Sequence, residues 1–91
     1  MSLHFPNPSR SFDETRNRVR FWGYDQSIEV SFFVEEDAMR LLDAALRGAP
    51  EAAFLKVFDA MRARIEKVAD SVYRRERGRS HSVSLHAADF R

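Results

Sequence analysis

The sequence predicts an α+β domain of two layers, a small antiparallel sheet covered on one face by two helices, in the order β-β-β-α-α-β. Three observations predict it. The stretch Arg18 to Val34 alternates apolar and polar residues with a period of two on either side of a polar turn, as a half-buried hairpin does. Ala38, Leu41, Leu42, Ala45 and Leu46, then Phe54, Phe58, Met61, Ile65, Val68 and Val72, recur at helical spacing. After Gly78 the period returns to two, with His81, Val83 and Leu85 alternating with Ser82, Ser84 and His86.

In chain order, Leu3 to Phe5 suits a short edge strand that Pro6 and Pro8 end by removing backbone donors. Ser11 to Glu14 matches a capping box, so Phe12 to Arg16 is expected as one helical turn with Phe12 anchored in the core. In the hairpin, Val19, Phe21 and Gly23 share a face with Ile28, Val30, Phe32 and Val34. A loop of Asp25–Gln26, or the favoured longer loop Tyr24 to Ser27, pairs Gly23 with Ile28, Phe21 with Val30 and Val19 with Phe32. The opposite face then sets Trp22 against Glu29, Arg20 against Ser31 and Arg18 against Phe33.

Glu35, Glu36 and Asp37 stand where the first helix begins, and negative charge is favoured at that end of the helix dipole. Gly48 supplies a left-handed residue after it, and Pro50 fits the first turn of the second helix. That helix runs from about Pro50 to Arg77 with Gly78 as its stop, roughly 40 Å at 1.5 Å per residue. A compact domain of this size is only about 30 Å across, so the helix is expected to bend, fray or project. Its seam has heptad spacing, but Leu55 and Val57 widen it into a face suited to a sheet, and Arg62 and Arg64 oppose a parallel coiled coil. The last strand places Val83 and Leu85 inward; the tail beyond it is expected to fray, with Phe90 available to tuck in.

Ninety-one residues make one domain, and 15 Lys+Arg against 14 Asp+Glu leave a net charge of +1. That balance is not the field of a strongly cationic nucleic-acid binder. With no cysteine there are no disulfides, no thiolate catalysis and no Cys-bound zinc, which fits a reducing cytoplasm. No apolar run approaches the roughly 20 residues of a membrane span, and the N-terminal stretch lacks the apolar segment of a signal peptide. A cytoplasmic location with no membrane partner is expected.

The segments L-H-F-P-N-P-S-R-S-F-D and R-V-R-F-W-G-Y-D-Q-S-I-E-V-S-F-F-V, followed by two helices and a short strand, resemble the small bacterial family called domain of unknown function 1488. The resemblance covers nearly the whole chain and implies a two-layer α+β fold with helices on one face of an antiparallel sheet. It implies no activity and no functional residues.

Phosphate-loop, zinc-protease and serine-hydrolase motifs are all absent. His81 and His86 face opposite sides of one strand, and Ser80–His81–Ser82 has no orienting carboxylate. No catalytic residue, metal ligand or cofactor is therefore assigned. The candidate interaction surface is the second face of the hairpin, Arg18, Arg20, Trp22, Tyr24, Glu29 and Phe33, because aromatic residues and arginine dominate interface energetics. A candidate basic cluster is Arg74, Arg75, Arg77 and Arg79, whose structural explanation is cation placement at a helix C-terminus. The function expected is a non-catalytic module that binds another protein or its own copy, with a homo-oligomer as one form. The alternative is weak nucleic-acid binding or regulation through the Arg/aromatic strand face.

Overall fold

The computed structural model describes residues 3–91 as a five-stranded mixed sheet with its helices packed on one face. The strands are β1 (Leu3–His4), β2 (Arg10–Asp13), β3 (Arg18–Asp25), β4 (Ile28–Val34) and β5 (Ser82–Leu85). The helices are α1 (Glu36–Leu42) and α2 (Glu51–Arg75), with short 3-10 turns at Ala44–Leu46 and Ala87–Phe90. The α+β class and the single helical layer follow the sequence reading. The strand path is β1-β3-β4-β5, with β2 also pairing β3.

The strand β2 replaces the expected capping box and helical turn. Ser11 lies opposite Arg20 in an antiparallel ladder, and Phe12 faces Val19. The turn after it is organised instead by Asp13, whose Oδ1 accepts from the backbone N–H groups of Thr15 and Arg16. Asn17 completes it at φ 51°, a left-handed conformation that Asn tolerates. The expected anchoring role of Phe12 holds, since its ring centroid is 4.8 Å from that of Phe54.

The hairpin keeps its predicted faces but not its predicted register. Asp25 pairs with Ile28, Gly23 with Val30, Phe21 with Phe32 and Val19 with Val34, a shift of two residues. Side-chain parity survives such a shift, so apolar alternation does not separate the two registers. The loop is Gln26–Ser27, and Gln26 takes the positive φ (57°) that a type II′ turn requires at that position. Ile28, expected inward, sits beside the turn and is 49% exposed.

The closing strand β5 has Val83 and Leu85 buried as expected, but it runs parallel to β4, so the sheet is mixed and not antiparallel. The reason is connectivity. The two helices carry the chain back along the sheet, so the next strand starts from the end where β4 started. Beyond it the tail is not frayed: Phe90 is buried and Arg64 donates to its carbonyl.

The first helix is shorter than its apolar stripe suggests. It stops at Leu42, where Asp43 caps the following 3-10 turn by accepting from Ala45 N–H. The buried residues are Ala38, Met39 and Leu46, whereas Leu41 is exposed. The helix α2 is 25 residues long, about 37 Å at 1.5 Å per residue, and matches the 36 Å long axis of the chain. The domain is elongated enough to hold it, so no overhang arises. Phe54, Phe58, Ile65, Ala69, Val72 and Tyr73 bury one face of α2 against the sheet.

Two polar ties fix helix to sheet. Arg10 grips Asp59 with two parallel bonds of 2.9 Å, and that guanidinium holds the Asp59 carboxyl below the usual range. Tyr73 donates its hydroxyl to Asp25 at 2.8 Å. Burial, with the Asp25 carboxylate beside it, pushes the Tyr73 phenol up to about 12. An unfolded tyrosine ionises near 10, so between pH 10 and about 12 the unfolded chain binds fewer protons than the folded one. Tyr73 therefore contributes stability that is complete below pH 10 and is lost as the pH rises toward 12. Urea midpoints at pH 9 and pH 11.5 should differ in wild type, and Tyr73→Phe should reduce that difference.

Candidate functional site: the helix-free face of the sheet

The helices and the tail lie on the Val19–Phe21–Phe32 side, and Phe5 of the N-terminal segment packs there too. Phe5 sits 6.0 Å from both Phe21 and Phe32, and Phe90 joins the core from the far end. Among the described residues no helix covers the opposite face, although the Asn7 side chain reaches Tyr24 at its edge. Alternation places Arg18, Arg20, Trp22 and Tyr24 of β3 there, with Glu29, Ser31 and Phe33 of β4. Asp13 of β2 and Ser84 of β5 extend it on either side. All six predicted surface residues share this face, and each keeps part of its side chain open to solvent.

Their pairing differs from that expected. Trp22 stands opposite Ser31, Arg20 opposite Phe33 and Tyr24 opposite Glu29. The shift moves Arg18 beyond Phe33, to where its guanidinium reaches Glu35 at 3.1 Å. Arg18 also bonds Asp13 at 3.0 Å and lies 3.9 Å from the centroid of Phe33. Asp13 is held below its ordinary range: burial opposes this, but the bonds from Arg18 and from the Arg16 and Thr15 amides outweigh it. Glu35 accepts a further bond from Ser84 Oγ at 2.7 Å. Its carboxylate thus ties β3 to β5 across the face and does not cap α1. Glu36 bonds Asn17 and Arg40, and Asp37 accepts from the backbone N–H of Ala87.

Arg20 is held differently. Its guanidinium carbon is 5.1 Å from the Trp22 ring and 5.6 Å from the Phe33 ring, and Nη2 donates to Ser31 Oγ at 2.9 Å. Its Nε is buried without an acceptor. No carboxylate among the described residues lies within ion-pair distance of Arg20, in contrast to Arg18. At the hairpin end Glu29 accepts from Tyr24 Oη at 2.9 Å, which raises the Tyr24 phenol above its usual range. Glu29 has no cationic partner among the described residues. The face therefore carries one stacked cation and one exposed carboxylate that have no ion-pair partner among the described residues.

The basic cluster is the capped end of α2. Arg74 pairs with Asp70 at 3.0 Å and Arg75 with Asp89 at 2.9 Å. Gly78 N–H bonds Tyr73 C=O and Arg77 N–H bonds Arg74 C=O, the two bonds of a Schellman motif. Arg77 itself takes the first left-handed position (φ 57°), with Gly78 following at φ 64°. Arg77 and Arg79 line a shallow surface hollow there with Arg75 and Glu76. The cluster does not share the strand face.

Asp13 and Ser84 go unmarked in the sequence, Ser31 figures there only as a strand partner and Glu35 only as a helix N-terminal charge. Charge pairing would have found one of them, Glu35: of the two registers with equal parity, only the observed one sets Arg18 beside Glu35. His4 lies on β1, separated from β5 by β3 and β4, so it does not join His81 or His86. Among the described residues no group of three or more His, Cys, Asp or Glu is placed to hold a metal ion. No helix among them is long and apolar enough to cross a membrane.

A five-stranded sheet backed by helices on one face, with arginine and aromatic residues on the other, defines a small α+β protein. The chain belongs to the family described as Protein of unknown function (DUF1488), whose model matches residues 3–85 and so spans every strand and both helices. No curated protein and no solved structure matches it.

Proposed function

We propose that this protein is a non-catalytic, cytoplasmic interaction module that docks the open β3–β4 face against a protein surface, its own copy included. The observation that carries this reading is Arg20, stacked between Trp22 and Phe33 with no carboxylate partner among the described residues. Arginine and tryptophan in a partly desolvated, pre-oriented cluster are the residue types that dominate interface energetics. Charge favours a protein over a polyanion. Arg18 and Arg20 share the face with three carboxylates, Asp13, Glu29 and Glu35, so its field does not gather phosphates. Absence of cysteine supports the cytoplasmic assignment.

Site-specific photocrosslinking in cells tests it. A photoreactive residue at Ser11 or Trp22 should give protein adducts, while one at Lys56, on the helical layer, should not. Adducts from Lys56 alone would contradict the reading. Retention of the purified protein on single-stranded DNA at low salt, where electrostatic affinity is greatest, would move the assignment to nucleic acid.

A further inference from the structure

We infer that the occupant of the open face is a second copy of this chain, packed face to face about a two-fold axis through the Trp22–Ser31 pair. This deepens the interaction-module reading and rests on it. The argument is the placement of the two unmatched charges. Arg20 and Tyr24 lie symmetrically on either side of Trp22 along β3, and Phe33 and Glu29 lie symmetrically on either side of Ser31 along β4. A two-fold axis running across the strands at Trp22 and Ser31 exchanges these positions. It sets Trp22 against Trp22 of the second copy and Arg20 over the second copy's Tyr24. Glu29 of that copy then lies one strand spacing away, about 4.8 Å laterally, above Phe33.

The guanidinium of Arg20 already leans toward β4 through Ser31 and Phe33, so it points to where the second Glu29 arrives. Within one chain the two charged residues are four positions apart along the strands, about 13 Å, too far to pair. Between two chains they meet twice, once on each side of the axis. A two-fold axis parallel to the strands instead puts Arg20 over Phe33 and leaves both charges unmatched. Aligned sheet packing at about 10 Å gives these side chains room to interdigitate, and the partly buried Trp22, Tyr24 and Phe33 supply the apolar contact.

The pairing makes a reciprocal test possible. Sedimentation equilibrium of the full chain should show a monomer–dimer equilibrium. Arg20→Glu and Glu29→Arg should each weaken self-association at least about tenfold, because each sets like charges together twice. An equimolar mixture of the two variants should restore the dimer as a heterodimer, since both contacts are then opposite in sign. Circular dichroism confirms that each variant is folded, and the mixture keeps the test informative where either variant is weakened. A wild-type monomer at all concentrations overturns the inference, as does undiminished self-association of both variants or failure of the mixture to re-form a dimer. Crosslinks from Ser11 or Trp22 to a different protein would in that case leave the interaction-module reading standing, and absence of any protein adduct would remove both.

Discussion

Phe21→Ala is expected to cost about 3–5 kcal/mol, enough to leave a domain of this size largely unfolded at physiological temperature. The Phe21 ring is fully buried and stacks on Phe32 at 5.3 Å. It also meets Phe58 of α2 at 5.3 Å and Phe5 of the N-terminal segment at 6.0 Å. One side chain thus joins the hairpin, the long helix and the N-terminal segment. Its loss leaves a cavity walled by rigid rings that cannot collapse inward, which places the cost at the upper end for such truncations. Urea denaturation followed by circular dichroism measures it. A loss below about 1 kcal/mol would mean that this cluster is not the centre of the core.

Gly23→Ala is expected to cost about 1–3 kcal/mol and to act first on the N-terminal strand. Here glycine is required by a close approach. A Cβ at this position would stand 2.9 Å from Phe5 Cε1, 3.1 Å from Phe32 Cε2 and 3.2 Å from Leu3 Cδ1. Phe32 is locked in the core, so the strain falls on Leu3 and Phe5, which are held by the short ladder Leu3↔Asp25, His4↔Tyr24 and by ring contacts. Amide exchange at residues 3–5 should accelerate far more than exchange in β4. Equal protection of residues 3–5 in the variant and in wild type would show that the segment tolerates the methyl group.

These two positions also show where the sequence was legible and where it was not. The face of each hairpin residue, the helical layer and the inward Val83 and Leu85 follow from periodicity, because burial selects it directly. The register does not, because a two-residue slip leaves every side chain on its own face. It was fixed by Gln26 accepting a left-handed turn and by Arg18 finding Glu35. The strand Arg10–Asp13 is hidden in the sequence by the capping-box spacing of Ser11 and Glu14, a local preference overridden by pairing with β3. Parallel pairing of β5 depends on the path of both helices, which no local pattern encodes.

The candidate surface was legible as a face and not as an arrangement. Parity alone groups Arg18, Arg20, Trp22, Tyr24, Glu29 and Phe33. That Arg18 is neutralised while Arg20 is not depends on Asp13 and Glu35, which come from segments on either side of the hairpin. The distinction between these two arginines leaves the face with one cation, Arg20, and one carboxylate, Glu29, that have no ion-pair partner among the described residues.

Trp22 is the only tryptophan in the chain, so its fluorescence reports on that face without any label. Emission and acrylamide quenching measured from nanomolar to high micromolar protein test the central claim most directly. If the open face is the working interface, dilution leaves Trp22 accessible, whereas concentration shifts its emission to the blue and protects it from the quencher. Emission and quenching that stay constant across the whole range, with Trp22 accessible throughout, would contradict pairing of this face with a second copy.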